Sequence, residues 1–242
     1  MAKQTALQLV NKVLKNLGES TVSALTSLSG LSLLVFDAIN EVLYDLAIEY
    51  KFKPLETNTS ISLVTATSTY TKPSTLMNFD RESFRYNESS KVHYYTPQRF
   101  DREYPAQTNS GAPPTIIFDF QGYFNVYPIP VSAANGKTIK YRAWVNPTPI
   151  DTASPSGTCW IPEGFDLTLL ADYVTFKILE YKHNERASIY YQKVWGDGGY
   201  NEGSLHRFRR IWGSEILSTD MVVEPMEGNN ARTGIVQNPI TG

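Results

Sequence analysis

An α+β protein is predicted by three features of the sequence. Apolar residues recur at helical spacing at both ends of the chain, alternate with polar residues through its middle, and lose any period beyond Gly213. Helix, then strand, then helix implies a β part inserted into a helical one. The expected organisation is a helical domain from residues 1–54 and 155–213, an antiparallel β-sandwich or small barrel at 55–150, and an extended C-terminal arm at 214–242.

Composition bounds the problem. The chain has 242 residues, long enough to bury a real core, and 41% hydrophobic with 19% charged residues is the balance of a globular protein. A net charge of −2 gives no electrostatic case for a tightly held nucleic acid. Cys159 is the only cysteine, so a disulfide framework is excluded and a reducing compartment fits. The first residues are patterned as an amphipathic helix and lack the unbroken apolar core of a signal peptide. No stretch approaches the ~20 apolar residues that span a bilayer. The expectation is a soluble chain, made in a cytoplasm, with no membrane partner. Its 15 tyrosines favour sheet and contact surfaces over coiled coil.

Residues 5–17 form the first predicted helix: Ala6, Leu9, Val10, Val13, Leu14 and Leu17 share a face, and Gly18 stops it. Leu31, Val35, Ile39, Val42, Leu43, Leu46 and Tyr50 mark a longer second helix, closed by Pro54. The period then shortens to two. Ile61/Leu63, Phe84/Tyr86, Val92/Tyr94, Ile116/Phe118/Phe120 and Ile139/Tyr141/Ala143/Val145 alternate with polar neighbours. Gln121-Gly122 reads as a hairpin turn, and Thr96-Pro97 as the start of one short helical turn.

Helical spacing returns after a polar link at 151–159. Ile161-Pro162-Glu163 starts a helix, because proline's missing N–H has no partner in a first turn, and Glu163 and Asp166 suit its positive end. This helix is apolar on two sides. Leu167, Leu170, Ala171, Val174, Ile178 and Tyr181 form one stripe; Leu169, Tyr173 and Phe176 form a second, almost opposite. Two greasy flanks need two partners, one its own domain and the other a further layer or a neighbouring subunit. His183-Asn184 breaks the pattern, and Ala187, Tyr190, Tyr191 and Val194 resume it. A glycine-rich loop and a last short helix with Leu205, Phe208 and Trp212 inward complete the regular part.

No catalytic constellation emerges. His93, His183 and His206 lie scattered, with no carboxylate or cysteine at metal-ligand spacing, so neither a metal nor a cofactor is expected. Cys159 reads as a small buried residue before a helix, and His93 as a solvent-facing strand residue. The loop at 196–199 lacks the lysine of a phosphate-binding loop and follows helix, not strand. Asp80/Glu82 and Asp101/Glu103, near Tyr94, Tyr95 and Tyr104, are the only carboxylate pairs that suggest a glycosidase or carbohydrate-binding module. They read more simply as an exposed strand edge and an exposed turn. Arg207, Arg209 and Arg210 read as a solvated helix face rather than a nucleic-acid patch.

An ordered set of short motifs carries a resemblance. Leu17-Gly18 ends the first helix and Tyr50-Lys51-Phe52-Lys53-Pro54-Leu55 leaves the second. Thr69-Tyr70 and Pro73 close the first strand pair, and Gly111-Ala112-Pro113 precedes a strand. Tyr127-Pro128-Ile129-Pro130 ends the hairpin, and Ile161-Pro162-Glu163 opens the third helix. In this order, over about residues 5–195, the chain resembles the head-to-tail adaptor (head-completion or neck) proteins of tailed bacteriophages. Phe52 stands where a tryptophan is expected. The resemblance implies a structural virion protein without catalytic residues. It implies a homo-oligomeric ring of usually twelve copies, with the portal protein above and a tail, nozzle or second adaptor protein below, through which genomic DNA passes without specific binding. On that reading Leu169, Tyr173 and Phe176 are expected at the interface between subunits. Met221, Val222, Val223, Ile235 and Val236 are expected to be the apolar anchors of an arm that docks on the portal.

Overall fold

The computed structural model describes residues 3–104, 108–198 and 201–216, with side chains described as far as residue 213. The first helix, α1 (Ala6–Leu17), starts on a capping box: Thr5 Oγ1 accepts from Gln8 N at 3.3 Å, and the Gln8 side chain accepts from Thr5 N at 2.9 Å. Gly18 ends it in the left-handed conformation at φ 84°, freeing its N–H for the last carbonyls. The second, α2 (Leu31–Glu49), stops where Tyr50–Phe52 turns extended as β1, before Pro54 is reached; Pro54 sits in a 3-10 turn, Lys53–Leu55.

The strands that follow are β2 (Glu56–Ser62), β3 (Thr69–Thr71), β4 (Leu76–Phe79), β5 (Arg85–Tyr86), β6 (Ser90–Lys91) and β7 (His93–Tyr94). A short helix, α3 (Pro97–Glu103), is capped by Thr96. Then come β8 (Ser110–Gly111), β9 (Ile116–Phe120), β10 (Tyr123–Tyr127), β11 (Ile129–Pro130) and β12 (Thr138–Val145). The eight-residue β12 organises a five-stranded sheet: β2 covers one edge, while β4 and β5 share the other and β6 extends β5. A second sheet runs β3-β10-β9-β7. Its β9–β10 hairpin turns on Gln121 and Gly122, both at positive φ, as a type I′ turn requires.

The α+β class stands, with six α-helices among the described residues. The barrel and the purely antiparallel pairing expected of the β part are not seen. No closed barrel exists among the described residues; β7 runs parallel to β9 and β11 parallel to β8. A parallel pair needs a crossover, and α3 together with the segment after it supplies one between β7 and β9.

The helical layer is completed by α4 (Ala171–Tyr181), α5 (Ala187–Trp195) and α6 (Ser204–Trp212), followed by β13 (Gly213–Ile216). One π-turn, Asp166–Leu170, leads into α4. The arm expected from residue 214 therefore begins as a strand: β13 pairs antiparallel with β1. The helices share one core, built on Leu9, Val13, Val42, Leu46, Leu170, Val174 and Phe208. Both larger sheets contribute to another, built on Ile61, Phe84, Ile117, Phe124, Ile139 and Tyr141. Between the two cores lies a seam of Ala47, Leu55 and Trp144, with Met77 and Trp160 against it. Hydrogen bonds tie the segment after β12 back to α2: Trp160 Nε1 donates to Leu43 O at 3.2 Å, and the Asn40 amide bonds both backbone groups of Ile150.

Candidate assembly surfaces

The helix start predicted at Ile161-Pro162-Glu163 is displaced to Asp166, whose buried carboxylate explains the shift. It accepts from Gln4 N at 2.7 Å, Gly164 N at 3.1 Å and Leu167 N at 2.9 Å. One acid thus satisfies amides at the start of the helix and ties down the segment leading into α1.

The helix α4 is the hub of this layer, touching α1, α2 and α5. Towards α2, Lys177 Nζ bridges Glu41 at 3.0 Å and Asp45 at 2.8 Å. Burial alone would lower the Lys177 pKa, but those two carboxylates outweigh it and hold it above its ordinary value. Towards α1, Asn16 Nδ2 donates to Thr175 Oγ1 at 3.2 Å and Asp172 Oδ1 at 3.5 Å. Burial raises the Asp172 pKa, with Lys193 and Lys12 opposing the rise. Towards α5, four rings interlock: Tyr173 meets Trp195 at 4.9 Å, Phe176 meets Trp195 at 5.0 Å and Tyr191 at 5.7 Å.

This geometry revises one expectation for the second flank. Leu169 has no exposed surface and belongs to the chain's own core, so no neighbouring subunit can reach it. The reason is the π-turn: one extra residue before α4 rotates Leu169 inward beside Leu170. Tyr173 and Phe176 are half-buried, their inner sides taken by α5. What periodicity could not reveal is that α5 folds back to fill most of this flank. Met221, Val222, Val223, Ile235 and Val236 lie outside the described residues.

The surfaces that remain greasy lie elsewhere on the helices. Leu33, Leu34, Tyr44 and Ile48 stand out from α2, and Tyr181, Ile189, Tyr191 and Ile211 from α4 to α6. On the sheets, Phe120 and Tyr123 form an exposed cross-strand pair at the hairpin tip. Sequence reading had missed the outer face of α2, although four exposed apolar residues among Asp37 and Glu41 were there to be counted.

The carboxylates singled out for sugar chemistry serve local structure. Asp80 Oδ1 accepts from Glu82 N at 2.9 Å, Glu82 pairs with Lys91 at 2.5 Å, and Glu103 pairs with Arg99 one turn away at 2.9 Å. Glu82 has a lowered pKa, chiefly from its bond to Lys91, which is the wrong direction for a general acid. A tighter polar network sits between the sheets: Asp119 takes bonds from Lys72 and from the Tyr94 hydroxyl. Burial, then that bond, pushes the Tyr94 pKa up. Burial opposes ionisation of Asp119, yet Lys72 and Tyr94 prevail and hold its carboxyl below the usual range. Cys159 is buried as expected, its thiol raised by desolvation, and His93 faces solvent. Among the described residues, no group of three or more His, Cys, Asp or Glu is placed to hold a metal ion, and no helix is long and apolar enough to cross a membrane.

Against this geometry, the family model described as SU10 adaptor protein matches residues 4–202. The chain belongs to this family. The match runs from the residue that bonds Asp166 to the loop before α6, so it takes in α1 to α5 and every strand up to β12. None of the curated proteins matches the chain. A phage adaptor family agrees with the resemblance read from the sequence.

Proposed function

We propose that this adaptor is a structural virion protein that forms a ring at the head-to-tail junction of a tailed phage, between the portal protein and the tail, nozzle or a second adaptor. The carrying observation is membership of the adaptor family over residues 4–202. The residues in hand support a geometric rather than a chemical role: the carboxylates near the aromatic cluster are spent on turns and surface ion pairs. Copies of the chain, twelve on this reading, surround a channel that passes DNA without gripping it, which a net charge of −2 permits.

The test is reconstruction by electron microscopy of necks isolated from particles that contain the protein. A ring of this fold directly below the portal is expected; its absence there, or a place on a tail fibre, overturns the proposal. The residues after Ile216 are part of the same reading, as the arm that meets the portal through Met221-Val222-Val223 and Ile235-Val236. A chain cut after residue 216 keeps β13 and is expected to melt like the full chain but to lose portal binding in pull-down.

A further inference from the structure

The exposed residues of α2 make one pattern. Leu33, Leu34, Asp37, Glu41, Tyr44, Ile48 and Glu49 are exposed, and every other position of the helix is buried or half-buried. Leu34, Asp37, Glu41, Tyr44 and Ile48 follow one another at alternating steps of three and four residues, the spacing of a helix–helix seam. A helix resting against solvent ordinarily turns polar residues outward. Here Leu34, Tyr44 and Ile48 are 41%, 51% and 46% exposed, with Leu33 beside them at 43%. Apolar residues hold both ends of the seam, and two acids hold its centre. Those acids are poorly answered. Asp37 has no ion pair among the described residues, and Lys177 divides itself between Glu41 and Asp45. Like charges one helical turn apart repel, so the centre of the seam favours an incoming cation.

The length of the seam narrows what can cover it. From Leu34 to Ile48 it runs about 21 Å, which takes a helix of about fifteen residues. Among the described residues, α1 has 12, α5 and α6 have 9 each, and α3 has 7. The run formed by α4 and the π-turn before it is long enough, but it is packed among α1, α2 and α5. Only α2 itself is both long enough and exposed. Two copies of α2 laid seam to seam set Glu41 against Glu41 in either direction, a like-charge contact that a paired seam avoids. The helices described for this chain therefore do not fit the seam of a second copy.

We propose that this seam seats an amphipathic helix of a different protein, one with apolar residues at both ends of its contact face and Lys or Arg between them. The apolar ends lie on Leu34 and on Tyr44 with Ile48, and the bases reach Asp37 and Glu41. Stems of Lys or Arg also cover the Tyr44 ring. Apolar contact supplies the attraction, and the central charges select the partner. An acid at the centre of the incoming helix meets Asp37 and Glu41 with its own sign as the contact dries. This seat is independent of the number of copies in a ring.

Synthetic amphipathic peptides of about three heptads are the probe. One carries Leu at the outer seam positions and Arg at the two central ones; its mate carries Glu at those two. Fluorescence anisotropy with the full-length chain is expected to show the Arg peptide binding about tenfold or more tightly than the Glu peptide, an advantage that shrinks with salt. Asp37→Lys with Glu41→Lys is expected to reverse that order, and Leu34→Lys with Tyr44→Lys to lose the Arg peptide, circular dichroism confirming that each variant is folded. If the first pair disturbs the bridge to Lys177, Asp37→Lys alone serves. Equal binding of the two peptides, binding of neither, or an order that the variants leave unchanged overturns the proposal. Two other occupants overturn it as well. Self-association of the wild type that Asp37→Lys abolishes in sedimentation velocity assigns the seam to a second copy. A full-length chain with Met221→Ser, Val222→Ser and Val223→Ser that binds the Arg peptide about tenfold more tightly than the wild type assigns it to the chain's own arm. None of these outcomes touches the ring itself, which the neck reconstruction decides.

Discussion

The sheets and the helices spend their apolar residues differently. Between the sheets, Phe79, Phe84, Phe124 and Tyr141 stack edge to face and face to face on one another, and little large apolar surface is left over beyond Phe120, Tyr123 and Val64. The helices fill a core of similar quality but leave Leu33, Leu34, Tyr44, Ile48, Tyr181, Ile189, Tyr191 and Ile211 in solvent. Scattered exposed leucines are ordinary, but groups of them on one helix face mark contact surface. Exposed large apolar residues thus concentrate on the helices.

The largest effects test whether the two cores are comparable. Val174→Asp puts an unpaired charge into a fully buried site and is expected to cost about 4 kcal/mol or more, abolishing the helical signal in circular dichroism. Phe124→Ala, equally buried between the sheets, is expected to cost about 3–5 kcal/mol. If the cores are separately cooperative, this variant loses its near-ultraviolet aromatic signal at a lower temperature than its helical one. Coincident loss shows that the seam at Trp144 and Trp160 welds them together.

Next comes the ring cluster on α4 and α5. Tyr173→Asp removes the contact with Trp195 and is expected to cost about 1.5–3 kcal/mol of stability, read as a lower urea midpoint. Tyr181→Asp, at a residue 77% exposed, is expected to stay within about 0.5 kcal/mol. Equal effects on the midpoint would mean that the cluster is no part of the chain's own packing.

Acid should separate the two parts by sign. The folded pKa of Asp119 lies below its unfolded value of about 3.9, so its stabilisation is present above that pH and is lost as pH falls through the folded value. The folded pKa of Asp172 lies above the unfolded value, so protonation favours the folded state; that contribution is full below about pH 3.9 and fades as pH rises through the folded value. Asp119→Asn is therefore expected to flatten the acid limb of the stability curve for the sheets, and Asp172→Asn to remove a penalty at neutral pH for the helices. Denaturant melts from pH 3 to 7 check both. A modest effect is expected of Lys177→Met. It leaves Glu41 and Asp45 facing each other, and because the pair is partly exposed the expected loss is about 0.5–1 kcal/mol, shrinking with salt.

What the sequence discloses follows from how local each signal is. The first helix is legible to the residue because Thr5, Gln8 and Gly18 carry its caps, and the hairpin because Gln121-Gly122 can take the positive φ it needs. The end of α2 is not, because Tyr50 to Phe52 continue its apolar spacing while their backbone pairs with residues over 160 positions away. Strand partners are equally non-local: nothing near His93 announces a parallel neighbour at Ile116. For the candidate site residues on α4, periodicity found both apolar flanks but could not say that the π-turn hides Leu169 or that α5 packs on the inner sides of Tyr173 and Phe176. The family was within reach because it rests on the order of turns and prolines, which folding does not rearrange.

The pairing of β13 with β1 has a mechanical side. The last described strand, β13, is laid against Tyr50–Phe52, the three residues that join α2 to the sheets, with the buried ring of Phe52 held between Trp160 and Phe208. Tension on that strand is therefore not borne by α6 unravelling from its end. It is resisted by an antiparallel ladder and delivered to the junction where both cores meet. A pull applied to β13 therefore acts on the helices and the sheets together.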